Sequence, residues 1–212
     1  MTTGADFFQV VSGTKDFVLM LAGCIGVFVA WQGLHTWQRQ LKGASDYDLA
    51  RRILIALFKF RDAINGVRFP AMWSNEMPAP SENAAKNMSE REIRHFGTVS
   101  AYQARWEKVR AERSNLYAEL LESEAVWGPE LTTLFKPVFS LEHELSTAVR
   151  NYLEVMDPNT RPETVDAIET IRRRKRDILY DDLSEEGDDY RKDFKTAVKA
   201  ISDYVKPKFS RS

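Results

Sequence analysis

Few side chains in this sequence could carry chemistry. Among 212 residues there are three histidines and one cysteine. Glu92 and His95 stand three apart, so a helix would place them on one face. Helical di-iron carboxylate proteins converge two such Glu-x-x-His pairs from facing helices. No second pair exists here: Ser140 occupies the position three before His143, and His35 lies beside an apolar run. Glu142-His143-Glu144 has acid–base character, but neighbouring helical positions point in different directions. Cys24 sits inside the apolar run, where a thiolate is disfavoured. A lone cysteine also excludes an intrachain disulfide. There is no Gly-rich phosphate loop, Gly-x-Ser-x-Gly or His-Glu-x-x-His. The expectation is a protein without a catalytic residue, metal or cofactor.

The most charged stretch is Arg172, Arg173, Arg174, Lys175 and Arg176. On a helix these five would sweep every face, leaving at least one cation near the core or a partner. Such a cluster can hold anionic headgroups or phosphates. Asp177, Asp181, Asp182, Glu185, Glu186, Asp188 and Asp189 follow directly. They predict pairing within the hairpin or a dipolar surface, and they would repel phosphates. With a net charge of -1 for the chain, nucleic acid is not the expected partner.

From Phe17 to Gln38 there is no Asp, Glu, Lys or Arg. A helix needs about 20 such residues to cross a hydrocarbon core roughly 30 Å thick. The Leu, Ile, Val and Phe residues between Phe17 and Leu34 contribute roughly −3 to −5 kcal/mol of insertion free energy. Trp31 and Trp37 stand at the end of the run, where aromatic rings suit the headgroup layer. Lys15 is the only cation before it, whereas Arg39, Lys42, Arg51 and Arg52 follow. Positive charge stays cytoplasmic. The expected layout is a short external tail over 1–15, a transmembrane helix over 16–38, a cytoplasmic helical bundle over 39–206 and a frayed tail over 207–212. Leu21-Ala22-Gly23-Cys24 resembles a lipoprotein processing box, but the apolar run before Cys24 is short and Asp16 abuts it, where positive charge is wanted. Ala22, Gly26, Ala30 and Gly33 line one face of the span and would let a second copy approach closely.

Beyond the span the apolar period is helical, so the fold class is all-α: one transmembrane helix followed by an antiparallel helical bundle. Gly43-Ala44-Ser45-Asp46 reads as an interruption with Ser45 or Asp46 capping a new helix. Leu49, Ile53, Leu57, Phe60, Ile64 and Val67 form an inward stripe up to about Arg68, and the run Ile53 to Phe58, apolar all round, places this helix centrally. Pro70, Pro78 and Pro80 mark a loop. Further helices are expected over 84–126, 130–156 with Pro137 kinking or breaking it, 162–183 and 186–205. Arg61 and Asp62 beside the stripe suggest a partly buried ion pair.

Trp37-Gln38-Arg39-Gln40-Leu41-Lys42-Gly43, Tyr47-Asp48-Leu49-Ala50-Arg51-Arg52, Arg61-Asp62-Ala63-Ile64 and Arg68-Phe69-Pro70 resemble a pattern in uncharacterised bacterial single-span membrane proteins with a helical cytoplasmic domain. The resemblance implies a bacterial origin and this topology, and transfers no catalytic residue. The functional expectation is a membrane-anchored scaffold contacting the lipid bilayer and an unidentified protein partner, with homo-oligomerisation through the span. The alternatives are a helical metal protein or enzyme using Glu92 and His95, or a module contacting anionic lipid or nucleic acid through 172–176.

Overall fold

A computed structural model describes residues 3–184 and 186–210; side chains before residue 20, and those of residues 21, 22, 24 and 210, lie outside the described set. All regular structure among the described residues is helical. α1 spans Thr3–Arg68, α2 Glu82–Ala85, α3 Glu90–Trp127, α4 Glu130–Met156, α5 Pro162–Arg172 and α6 Asp189–Val205, and a 3₁₀ turn Lys206–Ser210 follows.

α1 is one helix of 66 residues, about 99 Å long at 1.5 Å per residue. The interruption expected at Gly43–Asp46 does not occur, and neither do backbone boundaries at 15/16 or 38/39. Asp46 is no cap. It is 7% exposed and accepts a 2.8 Å hydrogen bond from the Trp127 indole at the end of α3. A cap residue ends a helix only where the chain also turns, and here a tertiary partner takes the carboxylate instead.

The stripe Leu49, Ile53, Leu57, Phe60, Ile64 and Val67 is buried throughout. It is the spine of an up–down–up–down bundle of α1, α3, α4 and α6. Cross-links fix the directions. Arg52 near the base of the bundle pairs with Glu119 and Glu122 late in α3. Arg113 meets Glu142 across α3 and α4. The Tyr190 hydroxyl at the start of α6 donates to the Leu141 carbonyl of α4. The run Ile53–Phe58 is not surrounded on all sides: Ile55 and Phe58 face outward, with the Arg61 guanidinium over the Phe58 ring.

α3 opens at a capping box, the Ser89 amide donating to the Glu92 carboxylate and the Glu92 amide to the Ser89 hydroxyl. Pro137 neither breaks nor ends α4. It lies on an exposed position, where water can satisfy the carbonyl it leaves unpaired. The fourth expected helix stops at Arg172, and the described residues of 173–188 form a strap without regular structure. Residues 206–210 do not fray either: the Phe209 ring packs edge-on against Tyr47 at 5.2 Å. Residues 211 and 212 of the expected tail lie outside the described residues.

Ala44→Pro tests the uninterrupted helix. Residue 44 is exposed, so the substitution removes no core contact, yet a proline inside a helix costs about 3 kcal/mol. A urea midpoint lowered accordingly, with loss of circular dichroism at 222 nm, is expected; an unchanged midpoint would mean the chain already breaks there.

Candidate anion-contacting surface

The strap that carries the basic run is held from the interior by Arg68. Arg68, the last residue of α1, is 1% exposed. Its Nε donates to the Ile178 carbonyl at 2.8 Å and Nη2 to the Tyr180 carbonyl at 2.8 Å. Nη1 pairs with Asp181 at 3.2 Å and Nη2 with Asp188 at 2.5 Å. The guanidinium lies 4.5 Å from the Tyr190 ring centroid, and its own carbonyl accepts from the Asp181 amide. A planar fork can meet carbonyls and carboxylates together and still stack on an aromatic face.

Asp188 serves three partners. Its Oδ2 faces Arg68 and accepts from the Asp182 amide, while Oδ1 caps α6 by accepting from the Arg191 amide. Burial pushes its carboxyl up, but the hydrogen bonds from Arg68, Arg191 and Asp182 outweigh this and hold it below the usual range. Gly187, just before it, sits at φ 65°, and a Cβ there would come within 2.7 Å of the Arg191 side chain. The turn into α6 therefore requires glycine.

This anchoring presses Ile178 and Leu179 into the core and sets the cations in order. Arg172, on the last turn of α5, pairs with Glu169 and Asp177. Arg176 pairs with Glu144 at 2.8 Å and Asp193 at 2.6 Å, and these bonds raise its pKa further. Arg173, Arg174 and Lys175 form the turn between them, exposed and without an ion-pair partner among the described residues. The five bases are therefore not five helical positions: Arg172 finds Asp177 among the flanking acids, Arg176 pairs outside them with acids of α4 and α6, and the middle three have no ion-pair partner among the described residues. Stacked like charges at helical spacing repel, and cations favour a helix C-terminus; both effects suit α5 ending here. Beneath the run, a cleft of about 60 Å³ opens between α4 and α5, with Ala148, Tyr152, Ile168, Ile171 and Leu179 in its lining.

The other expected groups do not converge. Glu92 is committed to the capping box, which lowers its carboxyl pKa, and the His95 Nε2 lies 3.1 Å from the Leu153 carbonyl. Among the described residues no three His, Cys, Asp or Glu side chains stand where they could hold a metal ion. Glu142 turns inward to Arg113 and Glu144 outward to Arg176. Desolvation raises the Glu142 carboxyl despite its Arg113 partner. The Arg61–Asp62 pair is a surface contact, its side chains 40% and 65% exposed; the buried ion pairs are made by Arg68 instead. Of the small-residue face, Gly26, Ala30 and Gly33 are exposed, and a Cβ at either glycine would meet nothing within 4 Å. The side chains of Ala22 and Cys24 lie outside the described residues.

Sequence reasoning passed over a second buried arginine. Arg105, 6% exposed, donates to the Phe69 and Ala71 carbonyls at 2.7 Å each and pairs with Glu76 at 2.7 Å. Its position on the inward stripe between Tyr102 and Val109 was the available signal. No protein-family model, curated protein or solved structure matches the chain.

Arg68→Ala should cost about 3–5 kcal/mol in urea unfolding, because two carboxylates and two carbonyls lose a buried partner; Arg61→Ala should stay within roughly 0.5 kcal/mol. The depressed Asp188 carboxyl contributes stability that is full above its unfolded pKa near 3.8 and is lost as pH falls through its folded value. Asp188→Asn should therefore lower the melting temperature at pH 7 and flatten its fall in acid; a parallel fall in both proteins would exclude this carboxylate as a source of the acid sensitivity.

Proposed function

We propose that this protein is a single-span, membrane-anchored scaffold without catalytic activity. α1 crosses the bacterial inner membrane over 16–38 with its N-terminus outside, and the bundle recruits a protein partner in the cytoplasm. The observation that supports this most is that the uncharged run and the core stripe share one unbroken helix. A segment inserted in lipid would carry the spine of the bundle with it.

Among the described residues no helix is long and apolar enough to cross a membrane. The run Phe17–Leu34 that motivates the span lies partly outside the described side chains. Its described part is an apolar surface: Ile25, Val27, Phe28, Val29, Trp31 and Leu34 are each more than half exposed. Burying such a side chain is worth about 1.5–3 kcal/mol, and a bilayer would cover all of them together.

On this reading α1 also sets heights. Leu49, the first residue of the stripe, stands about 18 Å beyond Trp37, and Arg68 about 46 Å beyond it. Charges are screened within about 8 Å at physiological salt. The cations of the strap are then too far from the anchoring bilayer to read its headgroups, which favours a partner in the aqueous phase over the lipid-contact alternative. The metal alternative lacks support because Glu92 and His95 have other partners.

Alkaline carbonate extraction of cell membranes, with a fluorescent-protein or alkaline phosphatase fusion at the C-terminus, tests the proposal. Retention in the pellet, a fluorescent fusion and an inactive phosphatase fusion are expected. Release into the wash would remove the anchor, and phosphatase activity would reverse the orientation.

A further inference from the structure

We propose that the Arg68 end of the bundle associates with a second copy of this chain, the exposed Leu183 of each copy entering the cleft between α4 and α5 of the other. The cleft holds about 60 Å³, roughly four times the ~15 Å³ that one water requires. That is room for a single aliphatic side chain. Its floor is apolar, and Ile171 at its edge is 50% exposed. Beside it stand Arg173, Arg174 and Lys175 without ion-pair partners among the described residues. The acids in its lining, Glu144 and Asp177, are paired with Arg176 and Arg172, and Lys175 lines it unpaired among the described residues. An apolar socket with surplus cations favours an aliphatic side chain flanked by carboxylates.

The chain displays that plug. Leu183 is 63% exposed, and Asp182 and Glu186 beside it are exposed as well. Arg68 holds the strap on both sides of it, at Ile178, Tyr180, Asp181 and Asp188, and Arg191 donates to the Asp182 and Ser184 carbonyls that flank it, so entering its own socket would break these bonds. A second copy is the occupant that fits. The strap lines one side of the socket through Lys175–Leu179 and also carries the plug, so a twofold pair forms both contacts at once, each copy offering the same patch. A twofold axis along α1 would also leave both copies anchored in one bilayer. That orientation rests on the membrane-anchor reading; the contact itself does not.

Disulfide trapping in the full chain, purified in detergent with Cys24→Ala throughout, reads the contact directly. Differently tagged copies carrying Leu183→Cys and Ile171→Cys are mixed and oxidised. The mixed dimer should exceed that from Leu183→Cys with Leu121→Cys, on the outside of α3, by at least about tenfold. Arg173→Glu plus Arg174→Glu in the Ile171→Cys copy should abolish the excess, and Asp182→Lys plus Glu186→Lys in the Leu183→Cys copy should restore it. Lys175→Glu is the milder variant should the double change unfold the protein, as judged by circular dichroism. Trapping no better than the control pair, or no restoration by the reciprocal swap, would overturn the contact. Because the measurement is made in detergent, its failure is distinct from release of the chain by carbonate, which would overturn the anchor alone.

Discussion

One helix is shared between two environments. Over residues 25–34 α1 presents apolar side chains outward, and its C-terminal part buries the stripe that every other bundle helix packs against. No break separates the two parts, so neither end can rotate or tilt without the other. A jointed anchor would leave a bundle free to swivel. A rod whose own side chains form the core holds α3, α4 and α6 at fixed distances along its axis and at fixed azimuths around it. This constraint ties the fold to the proposed function, because it converts the depth of the apolar run into the position of every surface above it.

The far end of the rod is closed by buried arginines rather than by more apolar packing. Where α1 ends, the chain must leave in a loop, and the strap from α5 returns beside it. Both bring backbone carbonyls into a region with little water, and each such group needs a donor. Arg105 supplies donors to the loop and Arg68 to the strap. Carboxylates from Glu76, Asp181 and Asp188 balance the charge. The Arg105 hydrogen bond holds the Glu76 carboxyl below its usual pKa. Lysine could match the charge but not the fork, which reaches several acceptors from one stem. The same fastening leaves the middle cations and Leu183 facing outward, so the surface of the strap is a by-product of how its interior is satisfied.

Much of the bundle was legible. The stripe from Leu49 to Val67 follows the helical period over five turns, and Pro70, Gly128-Pro129 and Asp157-Pro158 punctuate the chain where helices end. The misreadings share a cause: local signals were overruled by tertiary partners. Ser45 and Asp46 have the chemistry of caps, but Asp46 belongs to Trp127. Residues 173–183 carry helix-forming side chains, but Arg68 takes as acceptors the carbonyls of Ile178 and Tyr180, which a continuing helix would use internally. Arg61 and Asp62 follow buried Phe60, yet their own positions lie round the helix from the stripe and stay in water. At the candidate surface, composition singled out the basic run. The pairing of its Arg176 end depends on Glu144 and Asp193, which are distant in sequence, whereas Arg172 pairs locally.

The continuity of α1 is tested most directly by a distance across the residues that look like an interruption. Spin labels at exposed positions 40 and 65 of the full chain in bilayer nanodiscs should lie about 38 Å apart along the axis, with a single narrow distribution by pulsed electron resonance. A shorter mean with a broad distribution would show a joint between the apolar run and the bundle, and would contradict the shared rod.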